Sequence, residues 1–530
     1  MDFIRERRAL KNSKLSERIW TLRLSHACRF SLDCKMFGAY CYLSEIKGAI
    51  PLLHGPRGCA FFPKLVPPDA IRTQLLGLRE PPPFPCTDMD ERDVIYGGAE
   101  KLRNAILEVD RYYRPELIGV IISCPAAIIG DDIREIVEDA RKRVESEIIY
   151  TPSSAGFSDD ERTDDFNRHA EDLIEIWKDP ERRPKWGIEK CGRLDTLYSL
   201  IEQLVEEPKE RSENSINIDT YGRFHWFENL SGEIEEMKGI LSEIGIRVNT
   251  VFPGCTVRDF KGLSKARLNF MRRSERSAKF MKERFGIDYI FDLFGTRYIG
   301  IQGAKRFYLD VAERFGLRKK AEEVVNARLD TIDKSLQDIR AELRRRRIAF
   351  ICTPLYTTPK FIKLLETLGL DISLLIVNTM WWRRWGMTDG CAKRVVDEFL
   401  NNLRWLKSSP KILIDLTIEE EVDRLREHQV DLVIGDVLIS DLSRMMYYEN
   451  SGIKSLSPHS LGYSSFRISF SQVLYLGEMI LKRLNRPLRE TDLLYMRYRY
   501  HPERFPTMLS EISDEYIWER IMKKVWRGRS

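Results

Sequence analysis

Apolar residues along this chain fall into short unbroken runs alternating with stretches of three-and-four spacing, the signals of buried strands and of helices. Leu117 to Ser123 reads as a strand, followed by a helix from Ile133 to Val144. Ile216-Asn217-Ile218-Asp219 reads as a strand, Ile234 to Ile244 as a helix and Ile246 to Phe252 as the next strand. The scheme returns with strands at Ile348 to Cys352, Ile372 to Val377, Ile412 to Leu416 and Leu432 to Gly435, and helices at Lys360 to Leu368 and Glu419 to Glu427. Strand, helix and strand in that order build parallel sheets, so the pattern predicts an α/β protein of three Rossmann-like βαβ domains. The expected division is an N-terminal helical arm at 1–27, α/β domains at 28–214 and 215–346, and a third at 347–530 that ends in helices. Two long stretches, Ala266 to Phe285 and Ala304 to Arg346, read as helical with no strand signal. Gly156 to Lys190 is polar and acidic and carries Pro180 and Pro184, which predicts a surface excursion or domain boundary.

Length agrees with that division, since 530 residues correspond to about three domains. The 86 Lys and Arg against 81 Asp and Glu leave a net charge of only +5, which argues against a dedicated nucleic-acid binder. The run Arg344-Arg345-Arg346-Arg347 reads as a solvated helix end. No stretch approaches the roughly 18 apolar residues of a membrane span, and the charged start Met1-Asp2-Phe3-Ile4-Arg5 does not match a secretory signal. A cytoplasmic protein is expected. Neither a GxGxxG fingerprint nor a GxxxxGK[ST] loop occurs, so dinucleotide binding and nucleotide hydrolysis are not expected on this chain. Any ATP use would sit on a partner.

The ten cysteines form no CxxC pair, which disfavours zinc ribbons and thioredoxin-type motifs, and a large cytosolic chain does not use them as a disulfide framework. Three keep unusual company. Cys34 opens Cys34-Lys35-Met36-Phe37-Gly38-Ala39, Cys59 closes His54-Gly55-Pro56-Arg57-Gly58-Cys59, and Cys124 follows an apolar strand and precedes Gly130-Asp131-Asp132-Ile133. All three are expected in loops. A residue just past a parallel strand lies where open α/β sheets bind ligands. Gly55 and Gly58 would let the backbone approach a bulky group, with peptide N–H groups available to cluster sulfides. Thiolates are the ligands that iron–sulfur clusters need, usually four, so three from one chain imply a missing ligand from a partner. Asp131 or Asp132 is expected to cap the helix that follows. Cys28, Cys41, Cys86, Cys191, Cys352 and Cys391 read as simple buried thiols; Cys255, after a strand in Pro253-Gly254-Cys255-Thr256, is a substitute thiolate or an inert buried one.

HGPRGC at 54–59, TDMDERDVIYGG at 87–98 and SCPAAIIGDDI at 123–133, in this order and separation, resemble component 1 of the nitrogenase superfamily. That is the family of the molybdenum–iron protein and its cofactor-assembly scaffold. The likeness is closer to alpha-type than to beta-type chains, although Thr151-Pro152-Ser153-Ser154 is nearer the beta-type pattern. It implies three Rossmann-like domains around a central cleft. It also implies that Cys34, Cys59 and Cys124 are ligands of an interfacial cluster, the P-cluster in nitrogenase and a [4Fe–4S] cluster in the chlorophyllide-type reductases.

The resemblance carries a second site. Alpha-type nitrogenase chains hold their active-site cofactor through one histidine, matching His459 in Leu456-Ser457-Pro458-His459, and one cysteine preceding a helix that ends here at Glu283-Arg284-Phe285-Gly286. Counting back reaches Phe270 or Met271, so the thiolate is missing and dinitrogen is disfavoured as substrate. A second metallocofactor would have to be held without that tether. Trp381-Trp382-Arg383-Arg384-Trp385 reads as a pocket wall or a protein interface. The expected function is a nitrogenase-like oxidoreductase subunit that takes electrons from an ATP-hydrolysing iron protein to reduce a small molecule. Its expected partner is a homologous component 1 subunit, a beta-type chain or a second copy. The alternative is a non-catalytic scaffold for cofactor assembly.

Overall fold

The computed structural model describes residues 34–64, 82–151, 166–178, 192–220, 230–272, 274–292, 297–344, 346–354, 358–379, 383, 387–435, 448–449, 451–456 and 468–486. The chain divides into two compact units, Met1–Leu484 and Asn485–Ser530, and the second lies outside the described residues beyond its first two. The expected arm at 1–27 also falls outside them.

Among the described residues, the first unit holds three sheets. β1 (Ala49–His54), β2 (Leu117–Ile122) and β3 (Glu147–Tyr150) pair in parallel in the order β1-β2-β3. β4 (Ser215–Asp219), β5 (Arg247–Phe252), β6 (Leu268–Met271) and β7 (Asp288–Phe291) follow in the order β5-β4-β6-β7. β8 (Arg347–Cys352), β9 (Asp371–Val377), β10 (Lys411–Ile414), β11 (Leu432–Gly435) and β12 (Ser455–Leu456) are ordered β10-β9-β8-β11-β12. Every strand pairing among the described residues is parallel, so the α/β class read from the apolar runs is the one observed. No helix among the described residues is long and apolar enough to cross a membrane.

Two segments differ from expectation. Ala266 to Phe285 is not continuous helix: Leu268–Met271 is β6, and only Glu275–Phe285 is helical. The strand is short and carries a polar centre, which hid it. That centre, Asn269, is satisfied within the sheet, where its Oδ1 accepts a 2.8 Å bond from Asn217 Nδ2. The polar excursion 156–190 contains a helix, Phe166–Lys178, whose Ala170, Leu173, Ile174 and Trp177 belong to the core around the third sheet. Trp177 meets Phe399 there, with ring centroids 5.7 Å apart.

Around the first sheet, the helix Lys35–Ser44 is buried from Met36 through Ser44 and packs against the helix Gly192–Leu204. The approach is backbone on backbone: a Cβ added to Gly192 would lie 1.9 Å from the Lys35 carbonyl oxygen. A buried ion pair, Arg193 to Glu45 at 3.0 Å, closes the other end of the contact. Cys34 immediately precedes this helix, so the two-helix contact fixes its position. Gly192→Ala should therefore lower stability by about 1–3 kcal/mol in urea denaturation. Gly239→Ala, on an exposed helix position where an added Cβ meets nothing within 4 Å, should be neutral or stabilising.

Candidate metal centre

The site forms where β1 and β2 end. The strands run in register to His54 and Ile122, and Ser123 N–H donates to His54 C=O at 3.0 Å. Beyond β1 the chain turns through Gly55 and Pro56 into the helix Arg57–Lys64, which carries Cys59 in its first turn. Beyond β2, Ser123 caps the helix Cys124–Ile129, so Cys124 is its first residue. Cys34 is the N-cap of the helix Lys35–Ser44. The three cysteines therefore stand at helix starts and not in loops as expected.

Two glycines have separate uses. A Cβ on Gly55 would sit 2.3 Å from Ser123 Oγ, so only glycine lets the two chain exits cross this closely. A Cβ on Gly58 would meet nothing within 4 Å, so the space beside Cys59 is open. Cys34 and Cys59 are half-buried against the core beneath them, and Cys124 is exposed.

The TDMDERDVIYGG segment builds the frame around these exits. His54 is wholly buried, with Nδ1 3.1 Å from Thr87 Oγ1 and Nε2 3.1 Å from Asp131 Oδ2. Thr87 Oγ1 also accepts from Gly55 N–H at 3.0 Å, and Asp131 Oδ2 accepts from Gly98 N–H at 2.9 Å. The consistent tautomer has Nε2–H donating to Asp131 and Nδ1 accepting from the Thr87 hydroxyl. Asp90 and Asp93 form a capping box on the helix Glu91–Tyr96, and Lys101 binds Asp93 at 2.6 Å. Arg57 pairs with Asp88 across the opening. Of the two carboxylates expected to cap a helix, Asp132 does so on Ile133–Ala140, while Asp131 anchors His54. The histidine frame went unread because its partners lie far apart in sequence.

Burial pushes the Cys59 thiol up, and the negative charges that Cys34, Cys124 and Cys86 would carry push it further. Cys34, Cys86 and Cys124 are thus each within electrostatic reach of Cys59. Without metal Cys59 stays protonated, and ligation would displace the proton to solvent. Among the described residues no three His, Cys, Asp or Glu side chains converge to hold a single metal ion. Cluster ligands need not converge, because each thiolate binds a different iron. Soft sulfur donors beside open space fit an iron–sulfur group.

A family model described as "Nitrogenase component 1 type Oxidoreductase" matches residues 34–185 and 187–483. The chain belongs to the nitrogenase component 1 family. Its relatives include the nitrogenase molybdenum-iron protein alpha chain of Methanosarcina barkeri, 25% identical over 62% of this chain and 56% of the relative. They also include a nitrogenase iron-molybdenum cofactor biosynthesis protein NifE of Methanococcus maripaludis, 25% identical over 60% of this chain and 59% of the relative. These alignments span less than two thirds of the relatives' length. The solved structure of nitrogenase Cp1 at pH 5 shares the fold, with a TM-score of 0.57 at 20% identity over 86% of this chain and 89% of that one.

In this member of the nitrogenase component 1 family, the expected position of the second-site cysteine falls within the second sheet. Phe270 and Met271 are β6 residues, both wholly buried, in the second-sheet core and in the core beneath the first sheet respectively. Neither side chain is placed to ligate. The residue directly before the helix Glu275–Phe285 is Ser274, whose Oγ caps that helix. Cys255 is buried in the core, and burial followed by the nearby Asp259 charge pushes its thiol far up, which marks an inert thiol. His459, Trp381, Trp382, Arg384 and Trp385 lie outside the described residues. Arg383 donates from Nε to Thr379 at 3.0 Å and pairs with Asp389 at 2.9 Å, a structural tie.

His54→Ala removes the ring partner of Thr87 and Asp131 in the interior and should cost about 1–3 kcal/mol in chemical denaturation. Burial holds the His54 pKa below its ordinary value, against the opposing pull of Asp131. The unfolded chain therefore takes up this proton first. Its contribution to stability is present above about pH 6.5 and is lost as pH falls below it, a slope that His54→Gln should remove.

Proposed function

We propose that this chain is a component 1 subunit of a nitrogenase-like two-component reductase, and that Cys34, Cys59 and Cys124 hold an iron–sulfur cluster of [4Fe–4S] or P-cluster-like type. The observation that carries this is the gathering of three thiols at helix starts along one edge of the first sheet, in a chain of this family. A bound cluster would supply one-electron transfer at this edge. The residues of the chain set the conditions. Gly58 leaves room, and Met36, Phe37 and Ala60 keep water from the inner side. Gly55, held by Thr87, fixes the turn that aims Cys59.

Electrons would come from a separate ATP-hydrolysing iron protein, and the substrate is a small molecule other than dinitrogen, reduced near His459. A homologous component 1 subunit, beta-type or a second copy, would cover the outer side. The exposed Ile95, Tyr96 and Ile128, on the neighbouring helices Glu91–Tyr96 and Cys124–Ile129, support such a partner, since apolar side chains left in water favour a covering surface. A scaffold that carries an iron–sulfur precursor is the second reading, supported by the NifE relatives. Turnover separates the two: a reductase consumes reductant and ATP repeatedly, whereas a scaffold releases its cluster once.

Anaerobically purified protein should contain iron and acid-labile sulfide and give a cluster EPR signal on reduction. Cys59→Ala and Cys124→Ala should each remove most of the iron while the far-UV circular dichroism is kept. Iron unchanged in both variants would overturn the assignment.

A further inference from the structure

Cys86 stands immediately before the TDMDERDVIYGG segment, and sequence reading alone leaves it as a buried thiol. The structure gives it a defined place. Leu53 N–H donates to Pro85 C=O and Thr87 N–H donates to Leu53 C=O, each at 2.9 Å, so Cys86 bridges β1 in parallel opposite Leu53. This is the side of β1 away from β2. Residues paired across a ladder present side chains to the same face. Leu53 faces the core beneath the helix Lys35–Ser44, and Cys86 packs half-buried against that same core together with Cys34 and Cys59. Cys41, Cys255, Cys352 and Cys391 are buried in the hydrophobic cores. Cys86 thus groups with the proposed ligands by exposure as well as by face. It is also among the three cysteines whose charge acts on the Cys59 thiol.

We propose that Cys86 is the fourth thiolate ligand of the cluster held by Cys34, Cys59 and Cys124, so that one chain completes the coordination without a ligand from a partner. This rests on the cluster assignment above. On ligation the Cys86 thiol gives its proton to solvent and its sulfur binds iron, with no change of oxidation state. A partner subunit then covers the site without supplying an iron ligand to it.

The test is anaerobic reconstitution of the full chain alone with ferrous iron and sulfide. Size-exclusion fractions containing the single chain would be assayed for iron and sulfide and examined by EPR and Mössbauer spectroscopy. The wild type should hold about four irons per chain as a monomer, and Cys86→Ala about three, with an EPR signal in the oxidised state. Cys86→Asp, which replaces sulfur by an oxygen ligand, should regain about four irons with an EPR spectrum unlike the wild type's, a change that a packing role would not produce. A full, spectroscopically unaltered cluster in both Cys86 variants would overturn the proposal. If in addition Cys59→Ala retains its iron, the cluster assignment itself fails; if Cys59→Ala loses it, only the role of Cys86 does.

Discussion

The hydrogen bonds of the buried His54 side chain are the constraint on which the cysteine arrangement depends. One imidazole ring joins the end of β1 to Thr87 and Asp131, and through them to Gly55 and Gly98. Those contacts tie together the exit that carries Cys59, the segment that follows Cys86 and the loop that follows the Cys124 helix. A buried network of this kind is rigid only when every member is paired, because each unpaired group costs its full desolvation. The positions of the cysteines are inherited from this frame and from the close contact at Gly192.

Much of the fold was legible along the chain, and the reasons for the failures are local. β2, β8 and β9 are nearly continuous apolar runs, as strands covered on both faces must be. β1 was not seen, because Pro51 interrupts it and Pro is a poor signal for a strand with neighbours. β6 was hidden by Asn269, whose burial is explained by Asn217 on the adjacent strand and by Met281 on the helix that follows. The helix Phe166–Lys178 was lost among acidic flanks although its apolar face fills the third-sheet core.

The site was legible through motif order more than through chemistry. Cys34, Cys59 and Cys124 could be singled out from their neighbours in sequence, but their helix starts could not, since capping by Ser123 depends on the register of β1 and β2. Cys86 carried no local signal: its significance appears only once residue 53 is its ladder partner. At the second site, counting along the chain from the family pattern reaches Phe270 and Met271. Neither is a thiol, and both are buried in β6. The alpha-chain and NifE relatives share the family frame, so the frame alone does not divide reductase from scaffold.

The central claim is that iron is held at the carboxyl edge of the first sheet. Anomalous diffraction at the iron edge, from crystals grown and frozen anaerobically, tests it most directly. The account predicts strong iron density bonded to the sulfurs of Cys34, Cys59 and Cys124. Iron located elsewhere, or a fully occupied protein with no iron peak beside Cys59, would contradict it.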